Sequence, residues 1–127
     1  MKFLRPHQCG SIVLSLSALA IATTAWAADP PKIDLSGGNA ESGKAIAMDR
    51  AKGNCIACHL IPGGESPGAI GPALVAMQTR YPSKEALAIQ IWDATVKAPE
   101  AAMPPFGRHE ILSKQEFADV VEYIWSL

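Results

Sequence analysis

The sequence predicts an all-α chain, and three observations carry that expectation. Lys114 to Trp125 sets Phe117, Val120, Val121, Ile124 and Trp125 at i, i+3, i+4, i+7 and i+8, the apolar stripe of a helix. No stretch shows the strict alternation of a half-buried strand. The third observation is Cys55-Ile56-Ala57-Cys58-His59, a C-x-x-C-H that opens a Pro/Gly-rich loop. That spacing is the attachment signature of c-type haem. Two thiols three positions apart on a helical turn add across the porphyrin vinyl groups, and the next residue, His59, offers an imidazole as proximal ligand. The expected architecture is therefore three main helices wrapped around one covalent haem c.

The other readings of the cysteine pair are weaker. A redox dithiol belongs in a βαβ context, which the chain lacks. A zinc site needs four ligands, and neither a second cysteine pair nor a His-x-x-x-His follows.

Each element has a local reason. Ala40 to Lys52 reads as the first helix, with Ala40, Gly43, Ala47 and Ala51 as a stripe of small residues that lets another helix cross closely. Gly53 and Asn54 end it before Cys55. Leu60 to Pro72 is a loop punctuated by Pro62, Gly63, Gly64, Pro67, Gly68, Gly71 and Pro72. A carbonyl near Pro72 is a candidate acceptor for the second nitrogen of His59, fixing the ring. Leu74 to Thr79 reads as a short helical turn. Ser83 caps a helix from Lys84 to about Thr95, where Trp92 is a candidate for packing on the haem or donating to a propionate, with plain core packing as the alternative. Val96 to His109 is irregular, with Pro99, Met103-Pro104-Pro105 and Gly107. Ser113 and Glu116 form a capping box that starts the last helix.

The sixth position on the iron is expected to be Met103. Pro104 and Pro105 stiffen the loop behind it, and a thioether suits an electron acceptor by favouring reduced iron. Met48, Met77 and His109 are the other candidates, His109 the most serious because imidazole binds iron well. The loops Pro62-Gly63-Gly64 and Met103 to Phe106 are expected to ring the exposed haem edge where a partner docks. Phe106 is then either an interface anchor or an inward-facing haem contact.

The amino terminus carries its own signal. Lys2 and Arg5 precede an apolar run from Ser11 to Thr23, and Ala25-Trp26-Ala27 is a small-x-small cleavage site. Residues 1–27 are expected to be a secretory signal peptide and 28–39 a flexible lead-in to the domain at 40–127. Export to the periplasm follows, with no membrane anchor in the mature chain. Cys9 precedes the apolar run, the wrong place for a lipidated cysteine. The leader holds Lys2 and Arg5 and no acidic residue, so the net charge of −1 becomes −3 on its removal. That mild acidity speaks against nucleic acid as a partner.

The order helix, Cys-x-x-Cys-His, loop with Gly71-Pro72, helix, Met103-Pro104, helix resembles the class I cytochrome c fold. A narrower resemblance lies in Gly53 to His59, Ile61-Pro62-Gly63-Gly64, Gln90 to Thr95 and Met103 to His109. Together these resemble the SoxX family over about residues 40–127. The resemblance implies the electron-transfer subunit of SoxAX, which couples thiosulfate oxidatively to a cysteine of the SoxYZ carrier. It also implies a SoxA-type cytochrome partner that holds the sulfur chemistry, and a downstream cytochrome c that takes the electrons. The implied enzyme is a heterodimeric L-cysteine S-thiosulfotransferase. A bottom-up argument agrees with that division: thiolates are the usual sulfur nucleophiles, and both cysteines left after cleavage are consumed as thioethers. No catalytic nucleophile is expected on this chain. The rival expectation is a freestanding periplasmic electron-carrier cytochrome.

Overall fold

The computed structural model describes residues 31–127. The expected leader and the first residues of the lead-in lie outside the described residues. Four helices follow in order, α1 (Ala40–Met48), α2 (Met77–Arg80), α3 (Lys84–Trp92) and α4 (Lys114–Ser126), and the described residues contain no strand. Single 3₁₀ turns at Cys55–Ala57 and Ala94–Val96 complete the regular structure. The three main helices are those the periodicity predicts, and α2 is the one-turn element expected after Pro72, shifted toward Arg80.

α4 is the axis of the domain. Its capping box is complete: the Ser113 hydroxyl accepts from the Glu116 N–H, and the Glu116 carboxylate accepts from the Ser113 N–H. Phe117, Val120, Val121 and Ile124 are buried, with Trp125 half-buried against them. Asp119 and Tyr123 are buried as well, because α1 crosses α4 on that second face. The crossing depends on Gly43. A Cβ there would fall on the Asp119 carbonyl and lie 2.9 Å from Tyr123 Cβ. Gly43 and Ala47 are the buried members of the small-residue stripe, whereas Ala51 is exposed beyond the helix end.

Two helices end earlier than their apolar patterns suggest, and an aspartate is the cause both times. Asp49 accepts the Ala51 N–H on its side chain at 2.8 Å and takes an extended ψ of 117°, which stops α1 at Met48. Asp93 accepts from the Thr95 N–H at 2.9 Å and caps the 3₁₀ turn that replaces the last turn of α3. Such local side-chain bonds compete directly with the helical ladder.

The described part of the lead-in has no helix or strand, yet it is docked. Ile33 and Leu35 pack on the core, the Asn39 N–H donates to Asp119, and the Gln115 amide donates to the Gly37 carbonyl. Among the described residues no helix is long and apolar enough to cross a membrane.

Candidate functional site

Cys55, Cys58, His59 and Met103 line one cavity of about 610 Å³. That volume lies within the range of about 300–1,000 Å³ usual for small-molecule and cofactor sites. Its walls come from several parts of the fold: Leu74 and Met77 follow the first loop, Ile91 comes from α3, and Val120 and Ile124 come from α4.

The cysteine turn is built by its backbone. Asn54 takes a left-handed φ of 46°, which asparagine tolerates, and turns the chain into the 3₁₀ segment. The Cys58 and His59 N–H groups both donate to the Cys55 carbonyl, at 3.2 and 2.9 Å. This tight turn carries both sulfurs and the imidazole to the same cavity. Gly68 and Gly71 then run back along it, with the Gly68 N–H on the Ile56 carbonyl and the Gly71 N–H on the Cys58 carbonyl, each at 2.8 Å. A Cβ at Gly71 would collide with the His59 ring, 2.6 Å from Nδ1. The expected carbonyl is that of Pro72 itself, 2.7 Å from His59 Nδ1. Nδ1 is thereby assigned as the donor, and Nε2 keeps its lone pair.

Electrostatics separates haem attachment from the other readings of the cysteine pair. A redox dithiol needs a thiol pKa pulled down by positive surroundings. Burial instead pushes the Cys55 thiol up to about 11. A thioether carries no charge, so the same burial costs it nothing. Among the described residues no three His, Cys, Asp or Glu side chains come together as a metal site, as zinc would require. Arg50, Lys52 and Arg80 line the cavity, and no carboxylate does. An apolar slot whose charged side chains are all cationic suits a porphyrin, whose two propionates are anionic. The residues present therefore fit a haem c.

Several expected contacts are placed elsewhere by the structure. The turn Pro62-Gly63-Gly64 does not line the cavity; Gly64 packs on Ile56, and the turn closes over Ile56 and Ile61. Ile70 and Ile111 line the cavity and are exposed, Ile70 to 78%, so they stand at its mouth instead. Phe106 is 7% exposed and lines the cavity, so it is an inward wall and not an exposed anchor. Trp92 does not reach the cavity. Gly107 lies flat on its indole, where a Cβ would come within 2.8 Å of Cγ.

Among the candidates for the sixth position, Met103 is half-buried on the cavity wall, while His109 is exposed and outside it. Met48 packs on the core away from the cavity. Met77 is the surprise: it is 2% exposed and lines the cavity. Its sulfur lies 3.7 Å from Arg80 Nη1, which also donates to the Ala73 carbonyl at 2.6 Å. Arg80 lies just past the turn expected at Leu74 to Thr79, and nothing local in the sequence marks it as a cavity residue.

Comparison with known proteins agrees with this geometry. A comparison with curated proteins yields no match. A chain in the crystal structure of SoxXA from P. pantotrophus aligns with a TM-score of 0.63 and 29% identity, covering 70% of this chain and 81% of that one. The resemblance to SoxX carried by the motifs is thus met in three dimensions. The family model for cytochrome c matches residues 40–127, from the first residue of α1 to the last residue of the chain. The chain belongs to the cytochrome c family, and its cofactor is one covalently attached haem c.

Proposed function

We propose that this chain is the SoxX-type electron-transfer subunit of a SoxAX complex, which oxidatively couples thiosulfate to a cysteine of a SoxYZ carrier. The observation that carries the reading is the alignment with the SoxXA chain at 29% identity over 70% of this chain. Bound haem c supplies one-electron redox chemistry. The chain's own residues attach it, orient it and keep water from it. Cys55 and Cys58 hold it covalently. His59 would ligate the iron through Nε2, with the Pro72 carbonyl fixing the ring, and Met103 would supply the second side-chain ligand. Leu74, Ile91, Phe106, Val120 and Ile124 supply a dry wall.

With both described cysteines committed to thioethers, no thiolate remains to attack sulfur. The sulfur chemistry then lies on a SoxA-type partner, and a downstream cytochrome c receives the electrons. Residues 1–27 act as a signal peptide, the domain spans 40–127, and the protein works in the periplasm, where c-type haem is attached.

Co-expression with a SoxA-type cytochrome of the same source tests this reading. The expected result is a stable heterodimer that couples thiosulfate to a SoxYZ cysteine, with neither subunit active alone. Holoprotein that stays monomeric beside that partner, and adds nothing to its activity, returns the chain to the class of freestanding electron carriers.

A further inference from the structure

The loop that carries Met103 leaves the core at Asp93 and returns at Arg108. Between them the chain is exposed from Val96 to Glu100, and the bonds of the Val96, Lys97, Ala98 and Ala101 N–H groups are all local, to carbonyls of Asp93, Ala94 and Ala98. Its neck, in contrast, is closed by several bonds. The Trp92 carbonyl accepts the N–H groups of both Gly107 and Arg108 at 3.2 Å. Arg108 Nη1 donates to Asp93 Oδ2 at 2.8 Å, and Thr95 donates to Asp93 Oδ1 from its N–H at 2.9 Å and its hydroxyl at 2.5 Å. The Asp93 side chain is 1% exposed, while that of Arg108 is 57% exposed, so the arginine reaches in from the surface to neutralise a buried carboxylate.

We propose that the Asp93–Arg108 pair is a positioning device that keeps Met103 directed into the haem cavity by clasping the neck of its loop. The idea rests on Met103 as the sixth ligand. Neither residue lines the cavity, so both act at a distance through the loop. Opening the neck loosens the loop between its two ends, and presenting the Met103 sulfur then costs more chain entropy. Losing Arg108 also leaves the Asp93 charge buried without a cation, which favours loop conformations that let water reach it. The population with Met103 withdrawn must rise, and an external ligand senses that population directly.

The test is imidazole binding to the ferric holoprotein, followed together with the near-infrared sulfur-to-iron band. Arg108→Ala is expected to raise apparent imidazole affinity about ten-fold, in proportion to the open population, and to weaken the band. Arg108→Lys, which keeps a cation, should recover most of the wild-type affinity. Lys84→Ala breaks a different ion pair, Lys84–Glu122, between α3 and α4. It should lower stability without changing imidazole affinity. If Arg108→Ala gives no holoprotein, Asp93→Asn keeps an acceptor for Thr95 and is expected to show the same rise. Affinity unchanged in the neck variants, or raised equally by Lys84→Ala, overturns the clasp while leaving the ligand reading intact. A band that survives in Met103→Ala removes the ligand reading and the clasp with it.

Discussion

His59 Nδ1 and the Pro72 carbonyl lie 2.7 Å apart, across a turn in which Gly71 leaves no room for a side chain. The bond selects the tautomer and holds the imidazole plane, so it would orient the ring toward an iron ligated through Nε2. Proline contributes by having no N–H of its own at that turn, and glycine by having no Cβ. In Gly71→Ala the methyl collides with the ring, and overpacking of this kind costs about 1–3 kcal/mol. Haem should stay on the polypeptide through Cys55 and Cys58 and still stain on a denaturing gel. The low-spin optical spectrum should weaken and the midpoint potential should move. A wild-type spectrum in Gly71→Ala would show that the ring is not held by this turn.

The crossing of α1 and α4 is tested by Gly43→Ala. The added methyl has only the Asp119 backbone and Tyr123 Cβ to meet, neither the far end of a flexible side chain. The helices must separate, and a loss of about 1–3 kcal/mol in denaturant unfolding is expected, with a lower midpoint and an unchanged slope. Ala45→Gly, on the exposed side of the same helix, should cost only the propensity difference of about 1 kcal/mol.

Much of this fold was legible because helical stripes and the cysteine motif are local signals. α4 was fixed by one face and one capping box, and the cavity by a five-residue spacing. What escaped notice depended on partners distant in sequence. Nothing near Tyr123 says that α1 will cover it, and nothing near Phe106 says which way a ring in a Pro/Gly loop will turn. Met77 is a further case: nothing near it in sequence says that α2 will bring it to the wall of the cavity it shares with Met103. The early ends of α1 and α3 were readable in principle, since Asp49 and Asp93 each sit two residues before the N–H they accept.

Acid should weaken the packing of the first helix region on α4 through Glu116. Its bond from Lys52, and then those from the Ser113 N–H and hydroxyl, hold its pKa at about 2 against an ordinary 4.5. A carboxylate depressed on folding contributes stability that is complete above the ordinary value and is lost as pH falls toward the folded one. The difference in unfolding free energy between wild type and Glu116→Gln should therefore be constant near neutrality. It should shrink from about pH 4.5 and vanish near pH 2. A difference that does not change across that window would mean that neither the ion pair nor the cap bond depends on the charge of Glu116.

The identity of the sulfur on the iron is the sharpest test of the site, and the structure changes which rival counts. His109 is exposed and off the cavity, so His109→Ala should leave the ferric spectrum as it is. Met77 is the real competitor, since it is buried and lines the same cavity as Met103. Two features argue against it. Its sulfur faces Arg80, a cation that would oppose donation to ferric iron, and its helix follows directly on the segment that supports His59. Met103 comes from the separate loop between α3 and α4, backed by Pro104 and Pro105, and it lines the cavity from there. Met77→Leu conserves volume and should cost less than about 1.5 kcal/mol, so the holoprotein is obtainable. The near-infrared sulfur-to-iron band is expected to persist in Met77→Leu and in His109→Ala. It should disappear in Met103→Ala, with a fall in midpoint potential as the thioether is lost. A band that vanishes in Met77→Leu and survives in Met103→Ala would reverse the assignment.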